Sequence, residues 1–237
     1  MKTEHLRFAG PDGGELAARL EAPDAEPAAY AHFAHCFTCT TDLRAARRIG
    51  RALAERGIAL LAIDFTGLGE SAGEFAASNF SSNVRDLVAA ADFLRTTRRA
   101  PALLVGHSLG GAAVLAAAAQ IPEAVAVATV GAPSSTEHLR EKLLKLAPDL
   151  AVATEAEVDL GGPRRFKLRR QLLDDLGHDP LHAAVVGLGR ALLILHSPLD
   201  AIVGIDHARR LFDAAHHPKS FVSLAGADHL LSNERDA

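Results

Sequence analysis

The stretch Leu103 to Gly111, LLVGHSLGG, constrains the fold more than any other part of the chain. An apolar run stops at Gly106. A histidine and a serine follow, and Gly110 and Gly111 lead into the alanine-rich AAVLAAAAQ. Read as strand, tight turn and helix, this is G-x-S-x-G in the context that gives the pattern meaning. Such a turn strains the serine backbone and exposes its hydroxyl at the sheet edge, while the flanking glycines let strand and helix pack closely. A tight turn with a merely capping serine is the bland alternative.

The same rhythm runs through the chain. ELAARLEA, AAYAHFAH, IALLAIDF, PALLVGHS, AVAVATVGAP, ALLILHSPLD and KSFVSLAGADH read as strands, mostly continuous apolar runs suited to a parallel sheet buried on both faces. Asp42 is expected to cap LRAARRIGRALAERG, which closes at Gly57. Ser81 or Ser82 is expected to cap NVRDLVAAADFLRTTRR, where Val84, Leu87, Val88, Ala91 and Leu94 share one face. Strands alternating with helices imply the α/β class: a mostly parallel central sheet, helices on both faces, and sites at the carboxyl ends of strands.

The rhythm breaks between about residues 134 and 189. TEHLREKLLKLAPDL reads as a helix, EVDLGGPRRFKL as a hairpin turning at Gly161-Gly162, and RRQLLDDLGHDPLHAAV as helical again. No buried-strand run occurs there, so the segment is expected to cap the strand ends of one domain spanning residues 1–237.

Composition narrows the function classes. The 237 residues carry a formal charge of -4, which gives no general pull toward nucleic acid or anionic membrane. The basic run RRFKLRR reads as a solvated hairpin or helix face. MKTEHLRFAG has no apolar signal region, and no run is long and apolar enough to span a membrane, so a cytoplasmic protein is expected. Cys36 and Cys39 form a lone CxxC with no second ligand pair to complete a zinc site. Two reduced thiols in a functional loop are expected, with redox work by the pair as the rival reading. No metal or organic cofactor is implied.

A serine hydroxyl at neutral pH needs a base, and the base needs an orienting carboxylate. After an elbow of this kind the chain order is Ser, acid, His. Asp200 follows the strand in LLILHSPLDAIVG, and His229 follows the next strand in FVSLAGADHLLS. Both therefore belong at the sheet edge of Ser108. The chain has 12 histidines, so position singles out His229. Asp206 and Asp228 are rivals for the acid; the first starts a helix and the second adjoins the base. An oxyanion hole takes one N–H from the residue after the nucleophile, Leu109, and one from the loop AHCFTCTTD. Phe37 is the expected donor there, with Cys36 as rival. His35, Cys36 and His107 flank these turns and are the candidate substrate contacts. Asp64, in AIDFTGLGES, is expected to hold its own loop by bonding backbone amides.

Together these residues resemble the α/β-hydrolase superfamily over essentially the whole chain. More closely, AHCFTCTTDLRAARRIGRALAERGIA, DFTGLGES, NFSSNVRDLVAAADFL, HSLGGAAVL, ATVGAPSS, HSPLDAIVGIDHA and HPKSFVSLAGADHLLS resemble the hydrolase half of bifunctional hydrolase/OsmC proteins. The resemblance implies a serine esterase acting on small to medium acyl esters or thioesters, with Ser108, Asp200 and His229 as its triad. An acyltransferase or peptidase on the same triad, or a non-catalytic partner domain of a peroxidase module, are the alternatives. Members continue with a final helix and an OsmC-like domain, whereas this sequence stops at Ala237, eight positions after His229. The OsmC-like domain and its peroxidase function are therefore expected to be absent, and a homodimer is one way to cover the place of the final helix.

Overall fold

The computed structural model describes residues 1–160 and 165–233. Its strands are β1 (Lys2–Ala9), β2 (Glu15–Ala22), β3 (Ala29–Ala34), β4 (Ile58–Ile63), β5 (Leu103–His107), β6 (Ala126–Val130), β9 (Ala191–His196) and β10 (Lys219–Ser223), forming one sheet ordered β1-β2-β4-β3-β5-β6-β9-β10. The β1–β2 and β2–β4 ladders are antiparallel and the others are parallel. In register, Phe33 lies beside Val105, Val105 beside Ala128, and Ala128 beside Leu193. These rows are the apolar runs of the sequence laid side by side. This is the α/β architecture expected, with one strand more than the apolar runs suggested.

The extra strand is β1. Only Phe8 is buried in it, and its ring stacks on Phe93 with centroids 4.6 Å apart. A two-residue spacing of Leu6 and Phe8 among polar neighbours is the pattern of an antiparallel edge strand, not of a buried run.

Helices α1 (Arg44–Ala54), α2 (Phe80–Thr97), α3 (Leu109–Ala117) and α7 (Ile205–Ala214) cover the sheet. The caps differ from expectation. Leu43 occupies the capping position of α1 and makes no side-chain cap bond, so Asp42 lies one residue too early. Asn79 caps α2 by accepting the Ser82 N–H at 2.8 Å, while Ser82 Oγ accepts the Asn79 N–H at 2.8 Å. This reciprocal box satisfies two otherwise orphaned donors. Ser81 instead bonds the Asp175 carboxylate.

Between β6 and β9 lie α4 (Glu137–Leu146), a two-stranded sheet of β7 (Glu155–Asp159) and β8 (Arg165–Arg169), then α5 (Arg170–Leu176) and α6 (Leu181–Val186). The expected Gly161-Gly162 turn and Arg164 lie outside the described residues. Lys167 pairs with Glu155 at 2.7 Å and Arg169 with Glu74 at 2.8 Å, so the described part of the basic run is a solvated strand edge. Among the described residues, no helix is long and apolar enough to cross a membrane.

His32, in the middle of β3, is fully buried, and neither ring nitrogen has a partner. Burial pushes its pKa down to about 3. An unfolded-chain histidine protonates near pH 6.5, so the folded state binds fewer protons between those limits. Stability from this group is full above about pH 6.5 and falls as pH drops, by up to about 1.4 kcal/mol per pH unit. His32→Leu is expected to flatten that acid limb and to raise Tm at pH 7 by about 2–6 °C, because an orphaned polar group is removed. Thermal melts at pH 7 and denaturant titrations at pH 7 and pH 5 check this, and equal acid sensitivity in the two proteins would contradict it.

Candidate active site

Loops leaving the carboxyl ends of β3, β5, β9 and β10 meet at the turn between β5 and α3. Ser108 sits in that turn with φ 54° and ψ -125°. A side chain other than glycine rarely adopts this region, so the fold must hold it there. Its N–H donates to Val130 O at 2.8 Å. Cβ atoms at Gly106 and Gly110 would strike, respectively, the backbone of Gly110 and the carbonyls of Ala34 and His35. The two motif glycines are thus required by close approach.

The structure brings the three expected residues into one line. Ser108 Oγ is 2.9 Å from His229 Nε2, and His229 Nδ1 is 2.7 Å from Asp200 Oδ2. The other carboxylate oxygen, Asp200 Oδ1, accepts the N–H groups of Ile202 and Val203 at 2.8 and 2.9 Å. Burial pulls the Asp200 pKa upward, but the bonds from His229 and the two amides outweigh it and hold it below the usual carboxylate value. An ionised carboxylate only accepts. The His229 proton therefore sits on Nδ1, and Nε2 is left to accept the Ser108 hydroxyl. The rival acids lie elsewhere: Asp206 pairs with Arg210 at 3.1 Å, and Asp228 accepts the Ser232 N–H at 2.8 Å.

A cavity of about 660 Å³ opens over Ser108, and Cys36, Phe37, Leu109 and His229 also line it. Leu109 is the first residue of α3, so its N–H has no intrahelical acceptor. Among the described residues, the Phe37 N–H has no acceptor either.

His35 and His107, expected to contact substrate, do not line the cavity. Each is only 1% exposed. His35 Nε2 accepts the Phe65 N–H at 3.3 Å, so its proton is on Nδ1 and donates to Cys36 O at 2.8 Å. Burial holds the His35 pKa below the ordinary value, in keeping with a neutral ring. The Cys36 carbonyl also accepts the Cys39 N–H at 3.2 Å. In a planar trans peptide the next N–H points away from that carbonyl. By fixing Cys36 O, His35 fixes the direction of the Phe37 N–H. His107 is held neutral with a pKa of about 4, mainly by burial, and its Nε2–H donates to the His229 carbonyl at 2.6 Å. His196 Nε2–H donates to Val203 O at 2.8 Å and steadies the Asp200 loop. These positioning histidines share one sequence signal: each ends or closely follows a strand that feeds a site loop.

The thiol expectation is corrected as well. Cys36 and Cys39 are joined by a disulfide, with Cα atoms 5.2 Å apart, and no free cysteine remains. The i, i+3 spacing across a turn allows this geometry. The bond closes the turn that carries Phe37 and Thr38. Asp64 ties that turn to its neighbour, as expected, by accepting the N–H groups of Thr41 at 2.7 Å and Glu70 at 3.0 Å. Among the described residues, no group of three or more His, Cys, Asp or Glu could hold a metal ion.

The chain is similar to proteins of known kind. Residues 25–184 match the family model described as Serine aminopeptidase, S33. The esterase domain of a Rhodothermus marinus protein is 48% identical with a TM-score of 0.80, the alignment covering 100% of this chain and 93% of that one. Est1E from Butyrivibrio proteoclasticus, with ferulic acid bound, is 21% identical with a TM-score of 0.83, covering 97% and 92%. A putative hydrolase from Agrobacterium vitis is 22% identical with a TM-score of 0.79, covering 99% and 94%. No curated protein matches the chain.

Opening the Cys36–Cys39 bond frees the turn that presents the Phe37 N–H. In serine hydrolases, loss of an N–H that binds the developing oxyanion costs about 10²- to 10³-fold in turnover, and a loosened donor costs less. Cys39→Ser is expected to lower kcat for a chromogenic ester about tenfold with little change in KM. An unchanged kcat would show that the disulfide does not hold the turn.

Proposed function

Because the chain belongs to the Serine aminopeptidase, S33 family and has the α/β-hydrolase fold, we propose that it is a serine esterase that cleaves small to medium carboxylic esters or thioesters. One observation carries the reading. The hydrogen-bonded line from Asp200 through His229 leads to Ser108, which lines a mainly apolar cavity.

In the proposed reaction, Ser108 Oγ attacks the ester carbonyl carbon while His229 Nε2 takes its proton. Asp200 stabilises the imidazolium and keeps the ring in the useful orientation. The N–H groups of Phe37 and Leu109 bond the carbonyl oxygen as it becomes an oxyanion. Collapse of the tetrahedral species breaks the ester bond, and the departing alcohol takes the proton from His229. Water then attacks the acyl-enzyme carbonyl, giving a proton to His229; collapse breaks the bond to Ser108 Oγ, which takes that proton back from His229, and the acid leaves.

The cavity, about 660 Å³, lies within the range of small-molecule sites and suits acyl groups of modest length. An aminopeptidase reading would need an anion to hold the substrate ammonium. Among the described residues that line the cavity, none is Asp or Glu. The closer kinship with the hydrolase half of hydrolase/OsmC proteins belongs to this reading. It rests on the sequence runs HCFTC and NFSSNV.

A panel of p-nitrophenyl esters of increasing acyl length, with added methanol to divert the acyl group, tests the proposal. A burst of p-nitrophenol followed by steady release of the acid is expected. Ser108→Ala should lose about 10⁴-fold or more in kcat, and Asp200→Asn about 10³- to 10⁴-fold, both without loss of folding. Full activity in Ser108→Ala would contradict the proposal, and transfer to methanol far above its share of the solvent would favour an acyltransferase.

A further inference from the structure

Helix α4 forms one wall of the cavity. Its residues His138, Leu139, Lys142, Leu143 and Leu146 recur at helical spacing and face the space above Ser108. Leu160 and Phe166 line the same cavity. In this mainly apolar enclosure Lys142 is the one side chain of fixed charge among the described lining residues. It is half-buried, and it has no hydrogen bond or ion pair with any described residue. Lys145 on the same helix is also unpaired among the described residues but is exposed to water, whereas Arg140 bonds Glu137 at 2.8 Å and Lys167 of the same segment bonds Glu155 at 2.7 Å.

An ammonium is strongly hydrated and gains little from a leucine-lined wall. Its stem can lie along such a wall, but the charge then seeks water or an anion. An anion entering the cavity with a substrate would meet this charge where water is partly excluded and attraction is stronger. We infer that the cavity is shaped for esters that carry a carboxylate beyond an apolar body, with Lys142 as the counter-charge that sets this preference. The inference rests on Ser108 being the nucleophile of the proposed esterase, since it names the substrate class of that same site. Lys142 acts on substrate choice and leaves the bond-breaking chemistry to Ser108, His229 and Asp200.

Matched ester pairs test it. One pair compares p-nitrophenyl hexanoate with the mono-p-nitrophenyl ester of hexanedioic acid, which places the carboxylate on the acyl side. A second compares methyl 4-acetoxybenzoate with 4-acetoxybenzoate, which places it on the leaving group. The readout is the ratio of kcat/KM for the charged member to that for the neutral one. In at least one pair that ratio should fall about tenfold in Lys142→Met, fall further in Lys142→Glu and recover in Lys142→Arg. The responding pair identifies the side that carries the anion. Ratios that stay within about twofold across all variants in both pairs would overturn the inference while leaving the esterase intact. A wild-type protein that hydrolyses no member of either pair would count against the esterase reading. Calorimetry with hexanedioate on Ser108→Ala still decides the role of Lys142 in that case: binding lost in the double variant with Lys142→Met supports it, and equal binding overturns it.

Discussion

The site depends on a backbone conformation that the chain would not adopt unaided. Ser108 is held at φ 54° and ψ -125° by its neighbours on both sides. Its N–H is pinned to Val130 O of the adjacent strand. The glycine positions allow α3 to start almost against β5 and against the end of β3. Strain of this kind costs about 1–3 kcal/mol and persists only where the surroundings over-determine it. Here the surroundings are the central parallel strands, the most buried part of the sheet. The return is geometric: the hydroxyl stands clear of the sheet, and the N–H of Leu109 is left at a helix start without an internal partner.

Around that turn, buried histidines do the aligning. His35 turns the peptide before Phe37, His107 holds the carbonyl of His229, and His196 holds the carbonyl of Val203 beside Asp200. A neutral imidazole offers one donor and one acceptor in fixed directions, so it can join two loops with little freedom left. Burial favours the neutral form at His35 and His107. Loops that would otherwise move are thereby tied to the strand ends. The disulfide between Cys36 and Cys39 adds a covalent closure to the same region.

Much of this was legible in the sequence, for physical reasons. Parallel strands buried on both faces leave long apolar runs, and the serine elbow has a spacing set by sterics. The order of Ser108, Asp200 and His229 follows from strand-end positions, and the structure brings all three together. The parts that escaped depend on tertiary contact. β1 alternates because one face meets water, so it never forms an apolar run. Asn79 outcompetes Ser81 and Ser82 as a cap because it stands one residue before the first turn, which composition does not reveal. His35 and His107 stand beside the site in sequence but turn inward, because their strands deliver them to the sheet interior. Lys142 gave no signal, since its significance comes from the apolar residues that other elements place around it.

The central claim is that Ser108 is an activated nucleophile within an assembled Ser-His-Asp line. Intact-mass labelling with a fluorophosphonate tests it most directly, on the wild-type protein and on Ser108→Ala. The account predicts one covalent adduct on the wild type and none on the variant. A folded wild-type protein that stays unlabelled, or a variant that is labelled as fast as the wild type, would contradict it.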